Sequence, residues 1–336
     1  MKMSNRLVQL SFFAAALTAC GRSGSPQPVS NIGVPEREAT EQSVTKAYGP
    51  LIVREGEVDD SADRTPWSGS WLPLKSPALF ESEHGLAPLQ KYDLYMQRVH
   101  GKTTHAAETE KNSPELYDPA ALGWEGRCDA WATASVLEDE PSKPVTLHGV
   151  TFSVGDQKAL LIKSYENSHA FKQFGHNFEP KPDADFNDIY PDQFHKAVQH
   201  EVIERHRLVV FDNDPTEQVW NTPLYRANFE LHADGHDAHL MHVTAYIWGV
   251  SPFIPNPDYV GTISVKYIYT YDLYGDRLSD GSFRVVYGEW TGDSKTEHPN
   301  FVSIITDDLQ HSSNNGEIDT DIVSEILTYA RNQSGS

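Results

Sequence analysis

Residues 208–211, 224–231, 240–250, 262–271 and 282–290 are rich in Val, Ile, Tyr, Phe and Trp and carry the alternation of half-buried strands. Taken in order they read as a meandering antiparallel sheet. The turn at 276–281, containing Asp280-Gly281, reads as a hairpin between the last two segments. A sheet of this kind needs an apolar cover, and the front half of the chain supplies helices. Residues 130–137, 156–165 and 192–205 have helical patterning, with Ala159, Leu160, Leu161 and Ile162 in the second and Phe194, Ala197, Val198 and Ile203 in the third. Residues 321–331 form a short closing helix. Helices first and a meandering antiparallel sheet after predict an α+β fold.

Within that frame Gly123-Trp124-Glu125-Gly126-Arg127-Cys128 sets a thiol just after a glycine-bearing turn, at the head of the first helix. The positive end of a helix dipole favours the thiolate, so Cys128 is expected to lose its proton easily and act as a nucleophile. The competing reading is a buried filler cysteine. Trp124 precedes the helix, where it can wall a substrate slot or donate its indole N–H to an oxyanion; the Cys128 backbone N–H is the other donor. Trp131 lies on nearly the same helix face as the thiol, at a substrate-binding position or in the core.

Cysteine usage sharpens the point. The chain has 2 Cys. The other, Cys20, ends Leu17-Thr18-Ala19-Cys20, which follows a basic start (Lys2, Arg6) and a short apolar run and resembles a bacterial lipobox. Residues 1–19 are therefore expected to be a lipoprotein signal peptide, with Cys20 lipidated and Cys128 left without a disulfide partner. Gly21 rather than aspartate after the lipobox favours the outer membrane, placing the protein on the cell envelope through its lipid anchor. Residues 20–66 are rich in Ser, Pro, Gly and charge without apolar periodicity, and are expected to be a flexible tether. Residues 67–336 then make the catalytic domain. The net charge of -21 repels phosphate backbones, so nucleic acid is not an expected partner.

A thiol nucleophile needs a base and a group to orient it. His242 heads a strand whose following residues alternate, putting His242, Thr244, Tyr246 and Trp248 on one face that can line a cleft; His239 is the reserve. Asp272 or Asp276, at the end of the next strand, is the expected orienting carboxylate. No metal-site spacing is present, and no cofactor is required by these residues. Residues 183–188 have calcium-type oxygen ligands without the glycine and bidentate glutamate of an EF-hand, so calcium is an open possibility only.

The segment around Cys128 resembles the active-cysteine region of the transglutaminase elicitor family of oomycete cell-wall transglutaminases and marine bacterial proteins. The likeness continues through Glu138-Asp139-Glu140-Pro141 and His148-Gly149-Val150-Thr151-Phe152. Val219, Trp220, Asn221 and Pro223 resemble the elicitor peptide of that family, although Tyr225-Arg226-Ala227-Asn228 departs from its continuation. The resemblance implies a papain-like, transglutaminase-like core with the nucleophile helix packed on an antiparallel sheet. It implies transfer of a glutamine acyl group through a Cys128 thioester to a lysine amine, with protein substrates bearing glutamine and lysine. His242 and Asp272 would complete the triad by topology. The alternatives are a cysteine peptidase or amidase with water as acceptor, and a non-catalytic lipid-anchored recognition protein.

Overall fold

Nine strands pair into one sheet among the residues that the computed structural model describes, 41–168, 171–176, 188–214, 216–306 and 309–334. The chain enters through α1 (Glu41–Tyr48), β1 (Ile52–Val53) and β2 (Gly56–Ser61). The helical front follows as α2 (Pro88–Tyr95), α3 (Ala106–Asn112) and α4 (Cys128–Leu137). A separate hairpin, β3 (Val145–Leu147) with β4 (Val150–Phe152), leads into α5 (Val154–Lys163) and then β5 (Phe171–Gly175). Next come α6 (Pro191–Val198), extended by a π-helical turn over Gln199–Glu204, and β6 (Val209–Asp212). The long strands are β7 (Asn221–Ala233), β8 (Leu240–Val250), β9 (Ser264–Arg277) and β10 (Phe283–Trp290). The chain closes with β11 (Phe301–Ile305) and α7 (Thr320–Ser334).

The fold is a mixed helix and antiparallel sheet, as the patterning predicts. Strand order is β1-β10-β9-β8-β7-β6-β11-β5, and every pairing is antiparallel. One edge of β7 is shared: its start pairs with β6 and its later part with β2. The tether expected up to residue 66 is corrected here. From Glu41 onward the chain belongs to the body, because β2 fills a vacant edge of β7 and β1 pairs with β10, while Val44, Leu51 and Val53 are buried. Paired backbone groups and a few apolar side chains outweigh a composition that reads as linker. Residues 1–40, with Cys20 and the signal segment, and residues 183–187 of the calcium-like loop lie outside the described residues.

Two apolar clusters flank the sheet. On one side α2, α4, α5 and α7 cover the β6–β11 end, with Trp131, Tyr92, Tyr95 and Phe152 fully buried. On the other side α1, α6 and its π-turn cover Phe229, Val243, Ala245, Ile247 and Tyr271. Strand alternation thus sends Met241, Val243, Ala245 and Ile247 of β8 inward. His242, Thr244, Tyr246 and Trp248 share the other face, which is partly open to solvent rather than the wall of a cleft.

α4 packs on β7 and β6 and is buried nearly all round. Its alanines at 130, 132 and 134 allow close approach, and no side chain caps its N-terminus. α5, by contrast, begins with a capping box in which Ser153 and Asp156 exchange hydrogen bonds.

Candidate active site

Arg127, at the α4 N-cap, is held by charge. Its guanidinium meets Glu110 at 2.8 Å and also pairs with Glu166, while Lys163 reaches Glu110 at 2.8 Å and Glu166 at 2.6 Å. All four side chains are buried, so each charge depends on the others for the solvation it has lost. The backbone N–H of Arg127 also donates to the Trp71 carbonyl. A Cβ on Gly126 would lie 2.6 Å from Trp71 Cδ1 and 2.7 Å from its carbonyl oxygen, so only glycine lets these two stretches of chain lie so close. This clamp fixes where the following residue, Cys128, emerges.

The Cys128 thiol donates to the Val219 carbonyl and accepts from Asn221 Nδ2, both at 3.4 Å. It is 7% exposed. Burial, then the charge of Asp129, pushes its pKa up to about 11. The expectation of a thiolate favoured by the helix dipole is therefore corrected: desolvation and a neighbouring carboxylate dominate, and the resting group is a neutral thiol.

Sheet register builds the far wall. Asn221 on β7 pairs with Asp212 on β6, and cross-strand partners share a face, so both look toward α4. Asp212 accepts from the Trp220 N–H at 2.8 Å, from the Asp214 N–H at 3.3 Å and from Asn300 Nδ2 at 3.2 Å. Burial raises its pKa to about 7. Its charge acts on Cys128. Cys128 and Asn221 line a pocket of about 420 Å³ together with Trp124, Asp129, Glu166 and Gln173 among others.

The other expected site residues divide. Trp124 lines the pocket. Trp131 does not: it is fully buried against Gly69 and Trp67 in the core, which corrects its assignment to substrate binding. Val219, Trp220 and Asn221 meet the thiol or its neighbours, and Pro223 sits in β7 opposite Val210. Trp220 packs on Trp71 and Phe253. His242 does hydrogen-bond Asp272, at 2.7 Å, and its other nitrogen meets Asp234 at 3.2 Å. Those contacts, that with Asp272 first, raise its pKa. The reserve pair also assembles, His239 lying 3.4 Å from Asp276.

Neither histidine meets the cysteine. His242 stands opposite His232, and from Asn221 to His232 the strand runs roughly 35 Å at about 3.3 Å per residue. The histidine–aspartate pairs occupy one end of the sheet and Cys128 the other. That corrects the expected triad, because β7 is longer at its start than its β-branched core reveals. Asp212 and Asp129, absent from the sequence reading, are the carboxylates acting on the sulfur. Among the described residues, no group of three or more His, Cys, Asp or Glu is arranged to hold a metal ion.

Residues 107–266 match the transglutaminase elicitor family. That span, just under half of the chain, includes Cys128, Asp212, the Val219–Asn221 wall and His242, and stops before Asp272. The structure is similar to that of the GP42 transglutaminase from Phytophthora sojae, with a TM-score of 0.65, 87% of this chain and 97% of that chain covered, and 18% identity. At that identity the likeness shows the fold, which is transglutaminase-type. No curated protein matches the chain.

Proposed function

We propose that the protein is a protein-glutamine acyltransferase that works through a Cys128 thioester. The observation that carries this reading is the thiol at the head of α4, opening on a pocket with the Asn221 amide 3.4 Å from its sulfur. The family match around that thiol adds the reaction class. A glutamine carboxamide entering the pocket is attacked by sulfur as the thiol proton passes to Asp212, whose pKa of about 7 suits a group that must both take and return a proton. The carbonyl oxygen is received by the Asn221 amide and the Cys128 backbone N–H at the head of α4. The proton then leaves with the amide nitrogen as ammonia, giving the thioester. A lysine amine displaces the sulfur and leaves an isopeptide bond.

Hydrolysis to glutamate would follow the same first half with water as acceptor. A non-catalytic recognition protein is the second reading, favoured by the thiol's burial and its raised pKa. Labelled-amine incorporation into a glutamine-bearing protein separates these readings: transfer requires the label in that glutamine-bearing protein, hydrolysis releases ammonia without it, and a recognition protein does neither.

The lipobox-like Leu17-Thr18-Ala19-Cys20 supports attachment to the cell envelope through a lipid on Cys20. No helix among the described residues is long and apolar enough to cross a membrane. Replacing Cys20 by serine should release the protein from the membrane fraction; retention after a salt wash would point to another anchor.

A further inference from the structure

Two carboxylates line the Cys128 pocket, Asp129 and Glu166. Glu166 is spoken for: it pairs with Arg127 and Lys163 and accepts from Ser313 and the Asn314 N–H. Asp129 is different. It is exposed to the pocket, and among the described residues no cation lies within ion-pair distance of it. Its nearest polar partners are first-turn N–H groups of its own helix.

An unpaired carboxylate beside a nucleophile carries a cost, since it raises the thiol pKa and so opposes acylation. The stabilisation that a helix dipole offers is available to an acid anywhere in the first turn and does not require one that faces the pocket. The remaining lining includes the aromatic rings of Trp124, Phe171 and Phe301 and the hydroxyls of Ser168 and Ser303. That combination fits an alkyl ammonium whose methylenes lie along the rings while its charge meets the acid.

We propose that Asp129 is the acceptor-amine site. It receives the ammonium of a lysine-type primary amine and takes its proton; this role rests on the acyl-transfer reading above. The ammonium transfers one proton to the Asp129 carboxylate and becomes a free amine. Its lone pair forms the C–N bond to the thioester carbonyl, the C–S bond breaks, and the departing sulfur recovers a proton from the same nitrogen. Asp129 then returns its proton to solvent. The protein surrounding the pocket partly desolvates Asp129 and holds its pKa above the ordinary carboxylate value, which helps it accept that proton.

The test compares two acceptors on one glutamine-peptide donor with the full-length protein: cadaverine, a cation at neutral pH, and hydroxylamine, which is uncharged there. Asp129→Asn is expected to lower the cadaverine-to-hydroxylamine ratio of kcat/KM at least tenfold, mainly through the amine KM, and Asp129→Glu to recover most of it. Equal changes for both amines, or no change, would overturn the role and leave a structural one. If Asp129→Asn does not fold, the glutamate variant decides by whether it keeps the wild-type ratio. Failure of wild type to incorporate either amine in a Cys128-dependent way removes the acyl-transfer reading, and this inference with it.

Discussion

The side-chain amide of Asn221 donates to the Cys128 sulfur across 3.4 Å, joining the first residue of β7 to the first residue of α4. The contact exists because β6 sets Asp212 opposite Asn221 and Asp212 in turn holds the Trp220 N–H. The elicitor-like segment is thus part of the wall around the thiol.

Asp212→Asn should flatten the acid limb of the activity profile. Burial lifts the Asp212 pKa to about 7, so its ionised, proton-accepting form is present above that pH and lost below it. Wild-type kcat/KM for amine incorporation should rise through pH 7, and the variant should lose roughly two to four orders of magnitude at pH 8. An unchanged profile in the variant would take the proton away from Asp212.

Alkylation reports the state of the thiol directly. With a pKa of about 11, Cys128 is about one part in a thousand thiolate at pH 8. In a Cys20→Ser background, the iodoacetamide rate should climb about tenfold per pH unit from 7 to 10. A plateau beginning near pH 8.5 would mean that the sulfur is not desolvated in this way.

His242→Ala and Asp272→Ala should each change amine incorporation by less than about threefold, because their pair stands a strand's length from the sulfur. The His242 pKa is raised, so the pair adds stability below the unfolded value near 6.5 and loses it as pH rises through the folded one. A loss of a hundredfold or more from His242→Ala would contradict the placement.

Glu138 links α4 to α7. His311, Tyr165 and Arg331 hold its pKa down at about 2, His311 most strongly. Its contribution, up to about 3 kcal/mol, is present above the unfolded value of 4.5 and is lost as pH falls through about 2. Urea melts should therefore show Glu138→Gln destabilised at pH 7 and nearly equal to wild type at pH 2. In the same assay Glu110→Ala should cost about 3–5 kcal/mol at pH 7, since it strands the buried charges of Arg127 and Lys163.

Much of the architecture is legible in the sequence. The alternation over 240–250 reproduces β8 residue for residue, and the helix after Cys128 begins at the cysteine itself. The short strands β1, β2, β5 and β11 are not legible, because they are held by pairing and burial rather than by local preference. The site was half visible. Cys128 follows from its solitary thiol and glycine-led turn, and Asn221 from a motif read for another reason. Asp212 could emerge only from register, since nothing local distinguishes it from a turn aspartate until Asn221 is set opposite. His242 and Asp272 show the converse: adjacent-strand reasoning finds their hydrogen bond and cannot give their distance from a helix in the other half of the chain.

The most direct test of the central claim is incorporation of a labelled primary amine into a glutamine-bearing protein by wild type, Cys128→Ala and Asn221→Ala. The account predicts incorporation by wild type, none above background for a folded Cys128→Ala, and a loss of about a hundredfold or more for Asn221→Ala as the oxyanion donor is removed. Incorporation that persists in Cys128→Ala, or that is absent from wild type, would contradict it.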